Sequence, residues 1–372
     1  MGEGLRNGES ALAAIEGIAR AGLPAQDVLN ETARRIDAVV PSDGFFMAAT
    51  DPHTTLCIGT GYLRDLPRSQ CQPTWDYEFL VPDYVKFADI PFTGGPVADL
   101  HDATGGRPDR SARWREYSAV TGFRSEVRTA FSIGGAIWGI GQFNRMGDEP
   151  RFTAQEKAWL ARVAPLVAEG LRAALLNQPA SEAARRGPGL VLMDRDGRVV
   201  SATAEAAAWL DEVDSITPLS TPVGVVMPVE VQAYAAHARA AAGTENPRPA
   251  APARVRTRAG VWLLVHGSML EGSDQLALII EPAKAADVAP LIVEAYGLTQ
   301  RELEVTRAIS RGLGTSQIAA ALHLSPHTVR DYVKSIFEKV GVSSRGELVA
   351  KVFADHYSPP MPADVEKEPI VD

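Results

Sequence analysis

The chain has 372 residues, of which 45% are hydrophobic and 22% are charged, and its formal net charge is -9 at pH 7. This length suggests two or three domains, and the composition is that of an ordinary globular protein. Two cysteines, Cys57 and Cys71, exclude a disulfide scaffold in so long a chain. The N-terminus lacks the apolar core of a signal peptide, and no apolar run reaches roughly 18 residues. We therefore expect a cytoplasmic protein without a membrane partner.

The first part of the chain is predicted to begin with helices and to continue as a sheet. Amphipathic periodicity covers residues 10 to 38 and is interrupted at Gly22-Leu23-Pro24. Apolar runs at 45–49 and 56–58 have the length and composition of strands. The stretch SEVRTAFSIGGAIWGIGQFNR predicts two antiparallel strands that turn at Gly134-Gly135, with the core candidates Phe131, Ile133, Ile137, Trp138 and Ile140.

A long helix is predicted to close this region. It follows the sequence RFTAQEKAWLARVAPLVAEGLRAALL, in which Thr153 and Glu156 have the spacing of a capping box. A helix, a sheet and a closing helix resemble a GAF-like sensor domain over residues 1–180. Trp138-Gly139, Arg145 and the pattern Phe152-Thr153-x-x-Glu156 resemble the GAF-like regions of multidomain LuxR-type regulators. The resemblance implies that this region is a sensor.

The segment between the predicted strands, TWDYEFLVPDYVKFADIPFTGGPVADLHDATGG, is rich in aromatic residues. Two interpretations remain open, since these side chains can wall an apolar ligand pocket or simply pack the segment onto the sheet. In the first case the candidate pocket residues are Trp75, Tyr77, Tyr84, Phe87 and Asp89. Trp75, Tyr84 and Asp89 also resemble positions of acyl-homoserine-lactone sensors, although Ile90-Pro91 follows Asp89 where those sensors have proline directly.

The middle of the chain predicts a second, smaller sheet. GPGLVLMDRDGRVVSATAEAAAWL indicates two strands joined at Arg195-Asp196-Gly197, then a helix capped by Thr203. A helix is predicted over residues 228 to 241, then the loop GTENPRPAAPA and three strands in RVRTRAGVWLLVHGSML and QLALIIEP. This order and the run 193–200 resemble a PAS domain over residues 186–284. Thr203 stands where many PAS domains have asparagine, so we expect a relay module without a cofactor.

Near the C-terminus, residues 298 to 342 predict three helices, and a fourth follows. Thr299 and Glu302 form a capping box, and Ser325-Pro326 opens the third helix. That helix has an apolar stripe on one side, formed by Val329, Val333, Ile336, Phe337 and Val340. Its other side carries His327, Arg330, Asp331 and Lys334. A short helix, a tight turn and a longer helix with exposed cations predict a helix-turn-helix, whose second helix enters the major groove of DNA.

Five stretches carry a resemblance to the LuxR-type DNA-binding domain: Leu298-Thr299-x-Arg301-Glu302-x-Glu304-Val305, Gly312-Leu313, Ile318-Ala319, Leu324-Ser325-x-x-Thr328-Val329-Arg330 and Lys339-Val340-Gly341-Val342. Thr306, Tyr332 and Gly314 depart from the usual pattern, which favours leucine, histidine and a serine or threonine cap. The predicted domain covers residues 294–357, and a disordered acidic tail is predicted over 358–372.

The resemblance implies double-stranded DNA as the partner, a homodimer on two half-sites, and RNA polymerase as a further candidate partner. Its DNA contacts, transferred by position, are Arg330, Asp331, Lys334, Thr328, His327 and Arg345. Residues 298–357 have eight Lys and Arg against six Asp and Glu, a charge of +2, which leaves -11 on the remainder. We expect the acidic remainder to keep non-specific DNA binding low.

Catalytic and metal motifs are missing from the sequence. It has no Gly-x-x-x-x-Gly-Lys-Ser/Thr loop, no His-Glu-x-x-His, no Cys-x-x-Cys and no Gly-x-Ser-x-Gly. The spacing of His53, Cys57, Cys71 and His101 fits no standard metal site. The predicted fold is α+β and multidomain, with two α/β sensor modules before an all-α helix-turn-helix domain. The predicted function is transcription regulation without catalysis, metal or cofactor, and a small-molecule sensor acting through protein contacts is the alternative.

Overall fold

The computed structural model describes residues 2–67, 71–147, 149–177, 186–243 and 250–354. The chain divides into two compact units, and the second begins at Lys284 after a first unit that contains both sheets. The predicted acidic tail, 358–372, lies outside the described residues. The first unit is mixed α/β with antiparallel sheets, and the second is helical, which confirms the predicted fold class.

The first sheet has five antiparallel strands: β1 (Gly44–Thr50), β2 (Cys57–Arg64), β3 (Val97–Asp99), β4 (Phe123–Ile133) and β5 (Ala136–Met146). Their order is β2-β1-β5-β4-β3. Gly134 and Gly135, with φ of 62° and 90°, form the predicted turn between β4 and β5. The predicted strand at 56–58 is longer than expected, since β2 continues to Arg64.

Three helices pack together beside this sheet: α1 (Gly2–Arg20), α2 (Ala25–Val39) and α5 (Ala154–Asn177). The capping box of α5 is confirmed, because Thr153 N–H donates to Glu156 at 2.7 Å and Glu156 N–H donates to Thr153 Oγ1 at 3.2 Å. The indole N–H of Trp159 donates to the carbonyl oxygen of Gly8 at 2.9 Å and ties α5 to α1.

The aromatic-rich segment and its flanking residues contain α3 (Cys71–Phe79), a 3-10 helix (Phe87–Phe92), α4 (Leu100–Ala103), a short 3-10 helix (Pro108–Arg110) and a π-helix (Trp114–Ser118). Phe87 is buried with its ring edge-on to Phe46 of β1, at 6.0 Å between centroids. The segment therefore covers one face of the first sheet. Phe92, by contrast, is 84% exposed.

The second sheet consists of β6 (Gly189–Met193), β7 (Val199–Ala202), β10 (Ala253–Arg256), β11 (Trp262–Met269) and β12 (Leu276–Pro282), in the order β10-β11-β12-β6-β7. Two helices pack on it, α6 (Ala204–Glu212) and α7 (Val229–Ala242). Thr203 caps α6 as predicted, and Gly197 has the positive φ that the predicted turn needs. A two-stranded ribbon of β8 (Pro218–Ser220) and β9 (Val226–Pro228) was not predicted.

The two sheet-bearing halves belong to one compact unit, and ion pairs and close packing join them. Arg254 of β10 pairs with the buried Asp51 at 2.5 Å, and Arg239 of α7 pairs with Asp76 of α3 at 2.6 Å. A Cβ on Gly61 of β2 would lie 2.1 Å from Ile216, so only glycine allows this approach.

The second unit contains five helices among its described residues: α8 (Ala285–Ala295), α9 (Gln300–Ser310), α10 (Thr315–Leu322), α11 (Pro326–Val340) and α12 (Arg345–Val349). A π-helical turn, Ala350–Ala354, follows α12. The sequence spacing of Ser344 and Glu347 predicts a capping box for α12, and the structure corrects it in part. Ser344 Oγ does accept from Glu347 N–H at 3.1 Å, but the Glu347 carboxylate accepts from Ser343 N–H instead of Ser344 N–H. None of the described helices combines the length and apolar character needed to span a membrane.

Candidate nucleic-acid interface

Signals at both ends fix the bounds of α11. The Oγ of Ser325 accepts a hydrogen bond from the N–H of Thr328 at 3.0 Å, and Pro326 occupies the first turn. The helix ends at Gly341, whose φ of 69° is the left-handed conformation that glycine adopts without strain. His323, with φ of 54°, begins the turn from α10. The predicted tight turn between the two helices is therefore confirmed, and it has three residues, 323–325.

The inner face of α11 is held by the core of the second unit. Val329 and Ile336 are fully buried, and Val340 is 2% exposed. Val333 and Phe337 are partly buried and pack against the same core. The predicted apolar stripe is thus confirmed, and it fixes which side chains α11 presents on its other face.

The outer face of α11 presents its charged side chains to solvent. His327 and Lys334 are each 81% exposed, and Asp331 is 67% exposed. The Nδ1 of His327 lies 2.8 Å from Oδ2 of Asp331, and the Nζ of Lys334 lies 4.0 Å from a carboxylate oxygen of Glu338. Arg330 is exposed, and it forms no hydrogen bond or ion pair with another residue that the structure describes. Its planar guanidinium is therefore available to a ligand.

The two remaining predicted DNA contacts lie in different surroundings. The Oγ1 of Thr328 is 2.9 Å from the Oγ of Ser325 at the N-terminal end of α11. The half-buried guanidinium of Arg345 donates to the Leu313 carbonyl oxygen at 2.8 Å and to Thr315 Oγ1 at 2.9 Å. Arg345 therefore ties the start of α12 to the start of α10. This contact was not part of the prediction.

A buried carboxylate fixes α11 relative to α9. The side chain of Glu302 is 4% exposed and accepts hydrogen bonds from Ser335 Oγ and Lys339 Nζ of α11, both at 2.6 Å. It also accepts from the N–H of Thr299 at 2.7 Å, which completes the predicted capping box. Burial opposes ionisation, but the hydrogen bonds from Lys339, Ser335 and Thr299 outweigh it and lower the pKa of Glu302 to about 2.

The departures from the family pattern are accommodated locally. Thr306 is buried where leucine is usual, and its hydroxyl donates to the carbonyl oxygen of Glu302 at 2.8 Å. The substitution therefore leaves no unpaired hydroxyl in the core. Gly314 caps α10, and its N–H donates to the side chain of Gln317 at 2.8 Å.

The five residues predicted as a ligand pocket are dispersed in the first unit. Trp75 is buried and lines a cavity of about 50 Å³. The Cζ of Arg110 lies 5.4 Å from the ring centroid of Tyr84. The Cζ of Arg128 lies 4.4 Å from the ring centroid of Phe87.

Tyr77 and Asp89, the other two predicted pocket residues, lie outside the wall of this cavity. The hydroxyl of Tyr77 donates to Glu116 at 2.6 Å, and burial together with this bond raises the pKa of Tyr77 to about 12. Asp89 is exposed on the 3-10 helix. Of the five predicted pocket residues, only Trp75 is among the described residues that line this cavity.

A cluster of buried charges occupies the space between the first sheet and the segment that covers it. Arg128 and Glu126 of β4 and Arg113 are at most 1% exposed. The Nη2 of Arg113 lies 2.7 Å from Glu126, and Arg128 donates to Glu78 at 2.8 Å and to Gln142 at 2.9 Å. Burial would raise the pKa of Glu126, but the charges of Arg113 and Arg128 lower it below its ordinary value.

Metal ligation has no support within the described part of the chain, where no group of three or more His, Cys, Asp and Glu side chains comes together. Cys57 is buried without a disulfide, and burial raises the pKa of its thiol. The side chain of Cys71 lies outside the described residues.

The geometry defines the second unit as a helix-turn-helix module whose outer helix face carries the exposed cations Arg330 and Lys334. Residues 297–352 match the family described as bacterial regulatory proteins of the luxR family. These residues form a LuxR-type helix-turn-helix domain, as the sequence resemblance predicted.

Two curated relatives are similar over this domain. The probable transcriptional regulatory protein NarL of Mycobacterium tuberculosis is 41% identical over 68 residues, 18% of this chain and 29% of that protein. The transcriptional regulatory protein UhpA of Escherichia coli is 41% identical over 56 residues, 15% of this chain and 29% of that protein. The chain thus spans less than a third of the length of either relative.

Solved structures that extend beyond this domain resemble the chain only distantly. SdiA of Escherichia coli is 12% identical, with a TM-score of 0.34 over 94% of this chain and 99% of that chain. The GAF domain of a phosphoenolpyruvate-protein phosphotransferase from Coxiella burnetii is 15% identical, with a TM-score of 0.32 over 45% of this chain and 94% of that chain. Because both TM-scores are this low, we describe the fold of the first unit by its own strand order.

Proposed function

We propose that the chain is a sequence-specific DNA-binding transcription regulator whose helix-turn-helix domain is controlled by the preceding sensory region. The observation that carries the proposal is the exposure of Arg330 and Lys334 on a helix whose opposite side is buried. The similarity of residues 297–352 to bacterial regulatory proteins supports it. The proposal assigns no catalytic step to this chain.

Each group on the outer face has a distinct task in this proposal. Arg330 donates two parallel hydrogen bonds to O6 and N7 of a guanine, and Asp331 accepts from N4 of a cytosine. Lys334 contributes a mobile positive charge to a phosphate. Thr328 and His327, in the first turn of α11, contact the DNA backbone. Arg345 also contacts the backbone, through guanidinium N–H groups that do not take part in its bonds to Leu313 and Thr315.

The outer face has mixed charge, with Arg330 and Lys334 opposed by Asp331 and Glu338. Few phosphates are neutralised by such a face, so the sequence-independent part of the affinity is small. A homodimer on two half-sites about one helical turn apart compensates, because two recognition helices then act together. RNA polymerase is the proposed downstream partner.

The proposal divides the sensory region as the sequence did, into a GAF-like domain over 1–180 and a PAS-like relay over 186–284. The ion pairs Arg254–Asp51 and Arg239–Asp76 between the two sheet-bearing halves support transmission from one half to the other. A conformational change in either half would thus be transmitted to the other through these ion pairs.

Replacing Lys334 by alanine is expected to weaken binding to every duplex and to reduce the slope of log affinity against log salt by about 1. The reason is that one phosphate contact, and the counterion released with it, is lost. Fluorescence anisotropy of a labelled duplex, titrated with the full chain at several salt concentrations, measures both quantities.

Arg198→Ala is the matched control, because Arg198 is a 71% exposed cation of the first unit. It changes the net charge equally and should leave the salt slope unchanged. An unchanged slope for Lys334→Ala would remove Lys334 from the interface. No binding of the unaltered chain to any duplex at low salt would favour a sensor that acts through protein contacts.

A further inference from the structure

The cavity beside Trp75 lies between the two halves of the first unit. Phe46, Leu63 and Gln142 of the first sheet form one side of it. Ile216 and Thr217, immediately before β8, form the other. A molecule held in this cavity would therefore contact both sheet-bearing halves at once.

The wall on the first sheet is a single row of neighbouring side chains. Gln142 pairs with Phe46 across β5 and β1, and Phe46 pairs with Leu63 across β1 and β2. Cross-strand partners share a face of the sheet, so these three side chains present one surface to the cavity. Arg128, the partner of Gln142 on β4, lies next in the row and donates its Nε–H to Oε1 of Gln142.

One polar atom in the wall has no partner. The Oγ1 of Thr217 is fully buried and forms no hydrogen bond with any described residue. A buried hydroxyl without a partner destabilises the fold and therefore requires an explanation. The Nε2 of Gln142 donates to Asn144 at 3.3 Å and retains a second N–H. Thr217 and Gln142 are thus two hydrogen-bonding groups at one cavity.

The surroundings of the cavity disfavour a charged occupant. Every described side chain of its wall is uncharged, since these side chains are apolar or carry only hydroxyl, amide and indole groups. The carboxyl of Glu230, next in sequence to the lining residue Val229, accepts from Ile216 N–H at 3.1 Å and from Ser215 Oγ at 2.7 Å. Burial raises the pKa of Glu230 to about 7 and so disfavours an ionised carboxylate at this position.

We infer that the cavity binds a small uncharged organic molecule with one carbonyl or hydroxyl oxygen, and that Thr217 recognises this oxygen. The volume of about 50 Å³ corresponds to roughly three to five water molecules, which fits a short alcohol or ketone. Its hydrocarbon part packs against Phe46, Leu63 and Trp75, and its oxygen takes the hydroxyl of Thr217. The site is a property of the first unit and does not depend on DNA binding.

Saturation-transfer NMR on the full chain, without DNA, tests the inference with 1-butanol and 2-butanone as uncharged probes and butyrate as the charged match. The uncharged probes are expected to bind, and butyrate to bind at least about tenfold more weakly because its carboxylate must be desolvated. Thr217→Val, which replaces the hydroxyl by a methyl group of similar size, should weaken the uncharged probes by about tenfold.

Two controls separate recognition from stability. Thr32→Val removes another fully buried hydroxyl without a partner among the described residues, in α2 and outside the cavity wall, and should leave probe binding unchanged. Thr217→Ser keeps the hydroxyl and should retain binding. The inference is overturned if neither uncharged probe binds, if butyrate binds as well as they do, or if Thr217→Val and Thr32→Val behave alike. None of these results bears on the DNA-binding proposal.

Discussion

Replacing Glu126 by glutamine is expected to lower the free energy of unfolding of the first unit by about 3–5 kcal/mol. Glu126 is fully buried between two arginines, at 2.7 Å from Arg113 Nη2 and 3.2 Å from Arg128 Nε. Its removal leaves two buried guanidinium groups without the carboxylate that compensates them. The loss affects Arg128 more strongly than Arg113. Burial and the neighbouring Arg113 already lower the pKa of Arg128, and its Nη2 has no partner among the described residues.

Tryptophan fluorescence during urea unfolding measures this change in the first unit alone, because all six tryptophans of the chain precede residue 284. Glu9→Gln is the matched control, since Glu9 also faces an arginine, Arg162, but both side chains are exposed. Its unfolding midpoint should not move, because exposed pairs contribute little. A Glu126→Gln midpoint equal to that of Glu9→Gln would contradict the role given to the buried cluster.

Replacing Glu302 by glutamine is expected to destabilise the second unit by about 2 kcal/mol at pH 7. The pKa of Glu302 is lowered to about 2 from an ordinary value of 4.5. The ionised carboxylate therefore stabilises the fold above pH 4.5 and loses this contribution as the pH falls through about 2. The full linkage would be about 3.4 kcal/mol, and about 2 allows for solvent around the 34% exposed Lys339.

Far-UV circular dichroism at several pH values follows this unfolding transition, while the tryptophan signal of the same sample serves as an internal control. The difference between wild type and Glu302→Gln should be greatest at pH 7 and should shrink below about pH 4.5. A difference that is independent of pH, or a shift of the tryptophan transition as well, would show that the ionised carboxylate is not what fixes α11 to α9.

The sequence was most informative for the helix-turn-helix. Helix starts such as Ser325-Pro326 and the stripe from Val329 to Val340 are local patterns, and each follows from a few adjacent residues. Glu302 was predicted only as part of a capping box. Its contacts with Ser335 and Lys339 are 33 and 37 residues away, and no local pattern encodes that distance.

The first sheet shows why the buried cluster could not be predicted. Glu126 and Arg128 alternate with Val127, a pattern that indicates one polar, solvated face of a strand. Both faces of β4 are in fact buried along most of its length, because the aromatic-rich segment covers the polar one. Tertiary packing, and not a local pattern, decides that the aromatic-rich segment lies on the first sheet. The same is true of the cavity wall, in which Gln142 and Thr217 come from different halves of the first unit.

The central claim is that the outer face of α11 reads base sequence, and selection from a random pool of DNA duplexes tests it most directly. The full chain is predicted to enrich a motif of two half-sites about one helical turn apart. Arg330→Ala should bind that motif with a loss of about 1–3 kcal/mol and should lose preference at one position in each half-site. Enrichment of no sequence, or an identical motif and affinity for Arg330→Ala, would contradict the claim.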